Sequence, residues 1–75
     1  MSDDEYWDTF NRIGREVIRA RLPDGWELTD FHASTGSVSA TFEWAGDHSL
    51  RIEGRGPSEH EALVHITDFL SRKWP

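Results

Sequence analysis

The chain has 75 residues, of which 14 are Asp or Glu and 8 are Lys or Arg, so its formal net charge is −6. This length allows one domain with one hydrophobic core, and the lack of cysteine excludes disulfides and thiolate metal sites. The negative charge opposes non-specific nucleic-acid binding, because Lys and Arg must displace the counterions of phosphate. The polar start "MSDDEYWD" is unlike a signal peptide, and no apolar run approaches the roughly 20 residues of a membrane span. We therefore expect a soluble cytoplasmic protein.

The first predicted element is a helix over about residues 3–21. Ser2 and Glu5 have the spacing of a capping box, in which each side chain satisfies a free backbone N–H of the other. Pro23 disfavours helical geometry just before it, and "PDG" is typical of a turn. Apolar residues spaced by four and three positions predict the buried stripe, which Trp7 and Ile18 widen and which comprises Tyr6, Phe10, Ile13, Val17 and Ala20.

Three strands are predicted next, over about residues 26–33, 37–44 and 50–54. The alternation in the first strand is broken, and a bulge near Asp30 would restore it. "STGS" is typical of a hairpin turn, and "SVSATFEW" alternates as a half-buried antiparallel strand does. Trp26 and Trp44 are expected to pack beneath the helices.

A second helix is predicted over about residues 58–73, where Ser58 and Glu61 repeat the capping-box spacing. Trp74 is expected to be exposed or to join an interface. The predicted fold class is α+β: residues 1–75 form a single α-β-β-β-α domain, a three-stranded antiparallel meander with both helices on one face. The expected buried stripe of the second helix comprises Ala62, Leu63, Ile66, Phe69 and Leu70.

The element order and the stretch "GRGPSEHEAL" resemble the double-stranded-RNA-binding domain. That family binds A-form RNA through phosphate and 2′-hydroxyl contacts. Its lysines after the helix-capping serine are replaced here by Glu59 and His60, and its loop containing proline and histidine is missing from "HASTGS". The resemblance therefore implies the architecture, whereas RNA binding is not expected. The matching positions are the family's two glycines, its capping serine and its helix alanine, here Gly54, Gly56, Ser58 and Ala62.

A basic stripe on the first helix leaves nucleic-acid binding open as an alternative function. Arg12, Arg15 and Arg19 are spaced to share a helix face, and a degenerate RNA- or DNA-binding module would use them. The other interpretation is a solvated surface on which Asp8 and Glu16 form helical ion pairs with these arginines.

The histidines carry no catalytic motif. His60 and His65 are five residues apart and lie on different sides of a helix, unlike the histidines of a zinc protease. One helix face carries Glu61, His65 and Asp68, which could ligate a metal ion weakly. A polar helix surface is the favoured interpretation of this group. We expect no enzyme, no cofactor and no metal.

The open sheet face is the strongest candidate surface. The alternation along the strands places seven side chains on this face, namely Glu27, Thr29, Ser39, Thr41, Glu43, Arg51 and Glu53. Residues 23–50 contain five acids and no Lys or Arg, so an anionic array on this face would mimic nucleic acid towards a cationic groove. Acidic residues that only confer solubility are the alternative. The residues predicted to bind the partner are Glu27, Glu43, Glu53, Asp30, Asp47, Asp24 and Glu59.

In size, acidity and lack of motifs the chain resembles by type the small acidic inhibitors of phages and mobile elements, including anti-CRISPR proteins. The resemblance implies a bacterial host cell and inhibition of a nucleic-acid-handling complex, with a CRISPR effector subunit as one such target. A monomer is favoured over a dimer. A dimerisation module that pairs through the exposed sheet edge or Trp74 is a third interpretation.

Overall fold

The computed structural model describes residues 3–45 and 48–74 and confirms the predicted α-β-β-β-α order. Helix α1 spans Asp3–Arg19 and helix α2 spans Glu59–Lys73. The strands are β1 (Trp26–Ser34), β2 (Ser37–Trp44) and β3 (His48–Arg55), in the sheet order β1-β2-β3. Strand β3 is longer than predicted, whereas α1 is shorter. The predicted cap at Ser2 lies outside the described residues.

The sheet is an antiparallel meander whose register follows the alternation of the sequence. The predicted bulge is present, because the β1–β2 register shifts between Leu28 and Asp30 and leaves Thr29 as the extra residue. Ser34 pairs with Ser37, so Thr35 and Gly36 form a two-residue turn, in which the positive φ of Gly36 (79°) favours glycine. Strand β2 pairs with β3 without interruption from Ser37↔Arg55 to Trp44↔His48.

Both helices pack on one face of the sheet, α1 against β1 and α2 against β3 and β2. This arrangement leaves the outer face uncovered by any described element. Removing apolar surface from water is the main stabilising contribution to such a core. The buried apolar residues are Phe10 and Ile18 from α1, Phe31, Val38, Ala40 and Phe42 from the sheet, and Ala62, Ile66 and Leu70 from α2.

The predicted buried stripe of α1 is partly correct, since Phe10 and Ile18 are buried, but two of its other members face solvent. Ile13 is 48% exposed and Ala20 is also exposed, whereas Gly14 is buried. A Cβ on Gly14 would lie 2.6 Å from Cζ of Phe31, so the ring of Phe31 occupies the space that a side chain would need. The helix therefore turns its glycine towards the sheet, which no count of apolar residues predicts.

The start of α2 confirms the predicted cap and corrects the role of the glycines. Ser58 is extended, and its Oγ accepts a hydrogen bond from the backbone N–H of Glu61 at 3.3 Å. Glycine was predicted at positions 54 and 56 for tolerance of positive φ, but among the described glycines only Gly25 and Gly36 have it. A side chain on Gly54 would instead collide with the carbonyl of Ala62, so glycine is needed there for the close approach of α2.

Trp26 packs against the core as predicted, whereas two other tryptophans are arranged differently from the prediction. Trp44, expected beneath the helices, is 43% exposed and stacks on His48 with ring centroids 5.3 Å apart. Trp74, expected to be exposed or to join an interface, packs against the core, and its ring lies 5.0 Å from that of Trp26. Trp74 directly follows the last residue of α2. Its ring therefore lies over the start of β1, where Trp26 is located.

Candidate functional site

The outer face of the sheet consists of cross-strand rows that the register defines. Opposed residues in antiparallel strands point to the same side, so each row places three side chains together. In the first row Glu27 pairs with Glu43, and Glu43 pairs with Ser49. The remaining rows are Asp30–Thr41–Arg51, His32–Ser39–Glu53 and Ser34–Ser37–Arg55.

Glu27 and Glu43 form the least compensated pair on this face. Both side chains are exposed, and their Cα atoms are directly opposed, at a separation of about 5 Å. Neither carboxylate makes an ion pair with another described residue. Opposed like charges destabilise a sheet, so this end of the face holds negative charge that no described residue neutralises by a direct ion pair.

The bulge adds a third carboxylate to this end. Because Thr29 is the extra residue, Asp30 rather than Thr29 falls opposite Thr41 and is exposed on the outer side. The Oγ1 of Thr29 donates a hydrogen bond to the carbonyl oxygen of Thr41 at 3.2 Å, which anchors the bulge. We call Glu27, Asp30 and Glu43 the acidic corner.

Asp24 lies beside the acidic corner, in the turn before β1. It shares with Glu27 the rim of a surface depression of about 480 Å³ between the end of α1 and the start of β1. Arg19 also lines this depression and places one cation next to the two acids. Asp47, predicted with this group, lies outside the described residues.

The rest of the outer face is electrostatically mixed. Arg51 stands in the second row, and the guanidinium of Arg55 contacts the carboxylate of Glu53 at 2.8 Å through Nη2 and 2.9 Å through Nε. The charge of Glu53 is thus compensated within β3, unlike that of the acidic corner. The expected anionic array therefore narrows to one end of the sheet.

Glu59 does not lie on the outer face, because it begins α2 in the helix layer. The hydroxyl of Tyr6 donates a hydrogen bond to its carboxylate and links the starts of the two helices. This bond, with a smaller contribution from the backbone, lowers the pKa of Glu59 below its ordinary value and raises that of Tyr6. The structure thus gives Glu59 an internal partner at the position where the RNA-binding family has a lysine.

The arginines of the alternative function are exposed along α1. Arg12, Arg15 and Arg19 make no ion pair with any residue in the described ranges, so the predicted pairs with Asp8 and Glu16 do not form. Within the same ranges no three or more His, Cys, Asp or Glu side chains are grouped to hold a metal ion.

Exposed apolar side chains are the feature that sequence reasoning missed. Val64 and Phe69 on α2 are 52% and 44% exposed. Phe69 was predicted to be buried because it fits the apolar period, yet it lies at the margin of the stripe formed by Ala62, Ile66 and Leu70. Four side chains of α2 line a shallow groove of about 330 Å³, namely His65, Asp68, Phe69 and Arg72.

Comparison with known proteins finds no matching family model, no similar curated protein and no similar solved structure. Neither helix in the described part of the chain is long and apolar enough to cross a membrane.

Proposed function

We propose that this domain is a non-enzymatic inhibitor that binds a cationic, nucleic-acid-binding groove on another protein through its acidic corner. The mechanism is steric: the domain occupies the groove and keeps nucleic acid out, in the manner of an anti-CRISPR protein that mimics nucleic acid. A CRISPR effector subunit is the kind of target that fits.

The observation that carries the proposal is the opposed pair of Glu27 and Glu43. The two carboxylates are exposed, share one row and form no ion pair with any described residue. Lys or Arg side chains of a partner would relieve their mutual repulsion, so binding would remove an unfavourable interaction as well as add favourable ones.

The net charge of −6 supports the same mechanism at longer range. An acidic protein is steered towards a cationic groove, which raises the association rate at low salt. Salt screens charges over about 10 Å at 0.1 M, so inhibition should weaken as ionic strength rises.

The test is a displacement assay with purified CRISPR effector complexes and a fluorescent target DNA duplex as the probe. The domain should displace the duplex, and E27Q/E43Q should weaken displacement by about tenfold or more. The matched control D8N/E16Q removes the same number of negative charges, but from α1. It should shift displacement by less than about threefold. E53Q should resemble the control because Glu53 already has Arg55 as its partner.

Equal effects of E27Q/E43Q and D8N/E16Q would show that only net charge matters and would refute a role for the acidic corner. Salt-insensitive displacement would contradict the charge-based mechanism. If the domain displaces the duplex from no effector complex even at high micromolar concentration, the proposed class of target is wrong.

The alternative nucleic-acid function has one observation in its favour, the unpaired and exposed state of Arg12, Arg15 and Arg19 in the described structure. A gel-shift titration with duplex RNA and duplex DNA at low salt tests it directly. Retardation that disappears in R12Q/R15Q/R19Q would support this second function, whereas no retardation at high micromolar protein would remove it.

A further inference from the structure

The outer edge of β3 is a regular strand edge that no described strand pairs with. Strand β1, the other edge, is interrupted by the bulge at Thr29, and a bulge is one of the devices that protect an edge from pairing. Strand β3 has no bulge, since all eight of its residues are in register with β2. Its free edge therefore has the geometry of a template for another strand.

The charges of β3 select one partner and one register. The outer side of the strand carries Ser49, Arg51, Glu53 and Arg55 in sequence. In an antiparallel pairing of two copies centred on Ile52, Arg51 lies opposite Glu53 of the second copy, and Glu53 lies opposite its Arg51. Moving the centre by one residue places Arg51 against Arg51 or Glu53 against Glu53, which like-charge repulsion disfavours.

Helix α2 contributes a second surface on the same side of the molecule. The ring of His60 packs edge-to-face on Phe10, with centroids 5.4 Å apart, so this side of α2 faces α1. Phe69 lies nine residues further along α2, which is about two and a half helical turns. It is therefore on the opposite side of α2 from His60 and faces away from α1. Because α1 lies over β1 and α2 over β3 and β2, the exposed ring of Phe69 projects towards the free edge of β3.

We propose that this protein forms a symmetric dimer in which the β3 strands of two copies pair antiparallel about Ile52 and the two α2 helices pack over the joint. A twofold axis perpendicular to the sheet keeps all four helices on one side. Helices centred above the β2–β3 boundary would then be two strand spacings apart, or about 10 Å, which is the distance of packed helices. This proposal differs from the monomer expected from the sequence and does not depend on the proposed inhibitory function.

This arrangement also accounts for the groove on α2. Its lining contains an apolar ring, an acid and a base, namely Phe69, Asp68 and Arg72. Two antiparallel copies would bring the Phe69 rings together and place Asp68 of each copy towards Arg72 of the other. The groove would thus be filled by its own counterpart, as a twofold interface requires.

Sedimentation velocity over a wide concentration range is the first measurement. The unmodified chain should sediment as a dimer at high micromolar concentration, and F69E should weaken association by about tenfold or more. V64E is the matched control, because Val64 is similarly exposed but lies on another side of α2. A monomer at all concentrations, or equal effects of F69E and V64E, would overturn the proposal.

Mixed charge variants test the register. R51E and E53R should each be mainly monomeric, because each places like charges opposite one another across the twofold axis. The two chains are complementary when mixed, since one then carries two acids and the other two bases at these positions. Recovery of dimer in the mixture supports pairing centred on Ile52, whereas dimerisation unchanged in either single variant, or no recovery on mixing, contradicts it.

Discussion

The two sides of this domain are built alike and carry different surfaces. On one side α1 covers β1, and on the other α2 covers β3, each helix approaching its strand at a glycine contact. Yet β1 has a bulge and contributes two acids to the acidic corner, whereas β3 is regular and alternates bases with an acid. The first side therefore supports our proposal of a cationic partner, and the second supports our proposal of a symmetric dimer.

The same alternating pattern has opposite electrostatic results on the two sides because the charged residues meet their neighbours in different ways. Glu27 and Glu43 are far apart in sequence and become opposed only through the β1–β2 register. Glu53 and Arg55 are two residues apart, so the strand itself places them side by side. Local spacing thus neutralises charge on β3, while long-range pairing concentrates it on β1 and β2.

The largest expected effect is a difference in stability between alanine substitutions at the two glycine contacts. G54A should destabilise the domain by about 3 kcal/mol, because the new methyl group meets the backbone carbonyl of Ala62, which cannot move without shifting α2. G14A should cost about 1 kcal/mol or less, since the Phe31 ring can tilt and alanine gains about 1 kcal/mol in helix propensity. Urea unfolding followed by tryptophan fluorescence measures both, and equal losses would show that the two sides are packed equally tightly.

A smaller effect concerns the hydrogen bond that joins the two sides. In Y6F the carboxylate of Glu59 loses its donor, so its pKa should rise towards the ordinary value in an NMR titration. Because the pKa of Glu59 is lowered in the folded state, its stabilisation is present above the unfolded pKa and is lost as pH falls through the folded pKa. The stability difference between Y6F and the unmodified chain should therefore shrink in acid.

The background variant E59Q provides the control for this bond. There the substitution Y6F should change stability by an amount that does not depend on pH between 3 and 6, roughly the range in which carboxylates titrate. If the pH dependence of Y6F persists without the Glu59 carboxylate, another acid is responsible.

The smallest effect compares the carboxylates of the outer face. E27Q should stabilise the isolated domain by about 0.5 kcal/mol, because it removes the repulsion between opposed acids. E53Q should be neutral or destabilising by about 0.5 kcal/mol, since it weakens an exposed ion pair with Arg55. Thermal unfolding at low salt resolves the sign, and the difference should decrease in 1 M salt. Destabilisation by E27Q would mean that the negative charge of Glu27 is neutralised within the domain.

Much of the fold could be predicted from local sequence because local chemistry determines it. The cap at Ser58, the turn at Thr35 and Gly36, and the bulge beside Asp30 each follow from residues within a few positions of one another. The alternation of β2 likewise predicts which of its side chains face the helices, since a strand has a period of two.

The sequence by itself therefore determined the order of the elements, the buried face of the sheet and the surplus of acids in its middle third. Only the tertiary structure decided which side of α1 faces the sheet, why Gly54 is glycine and which acids remain uncompensated. These features depend on contacts between different elements of the fold, such as Gly14 with Phe31, Gly54 with Ala62 and Glu27 with Glu43. Periodicity reports only the direction of a side chain along its own element, whereas the partner that side chain meets is set by how the elements pack.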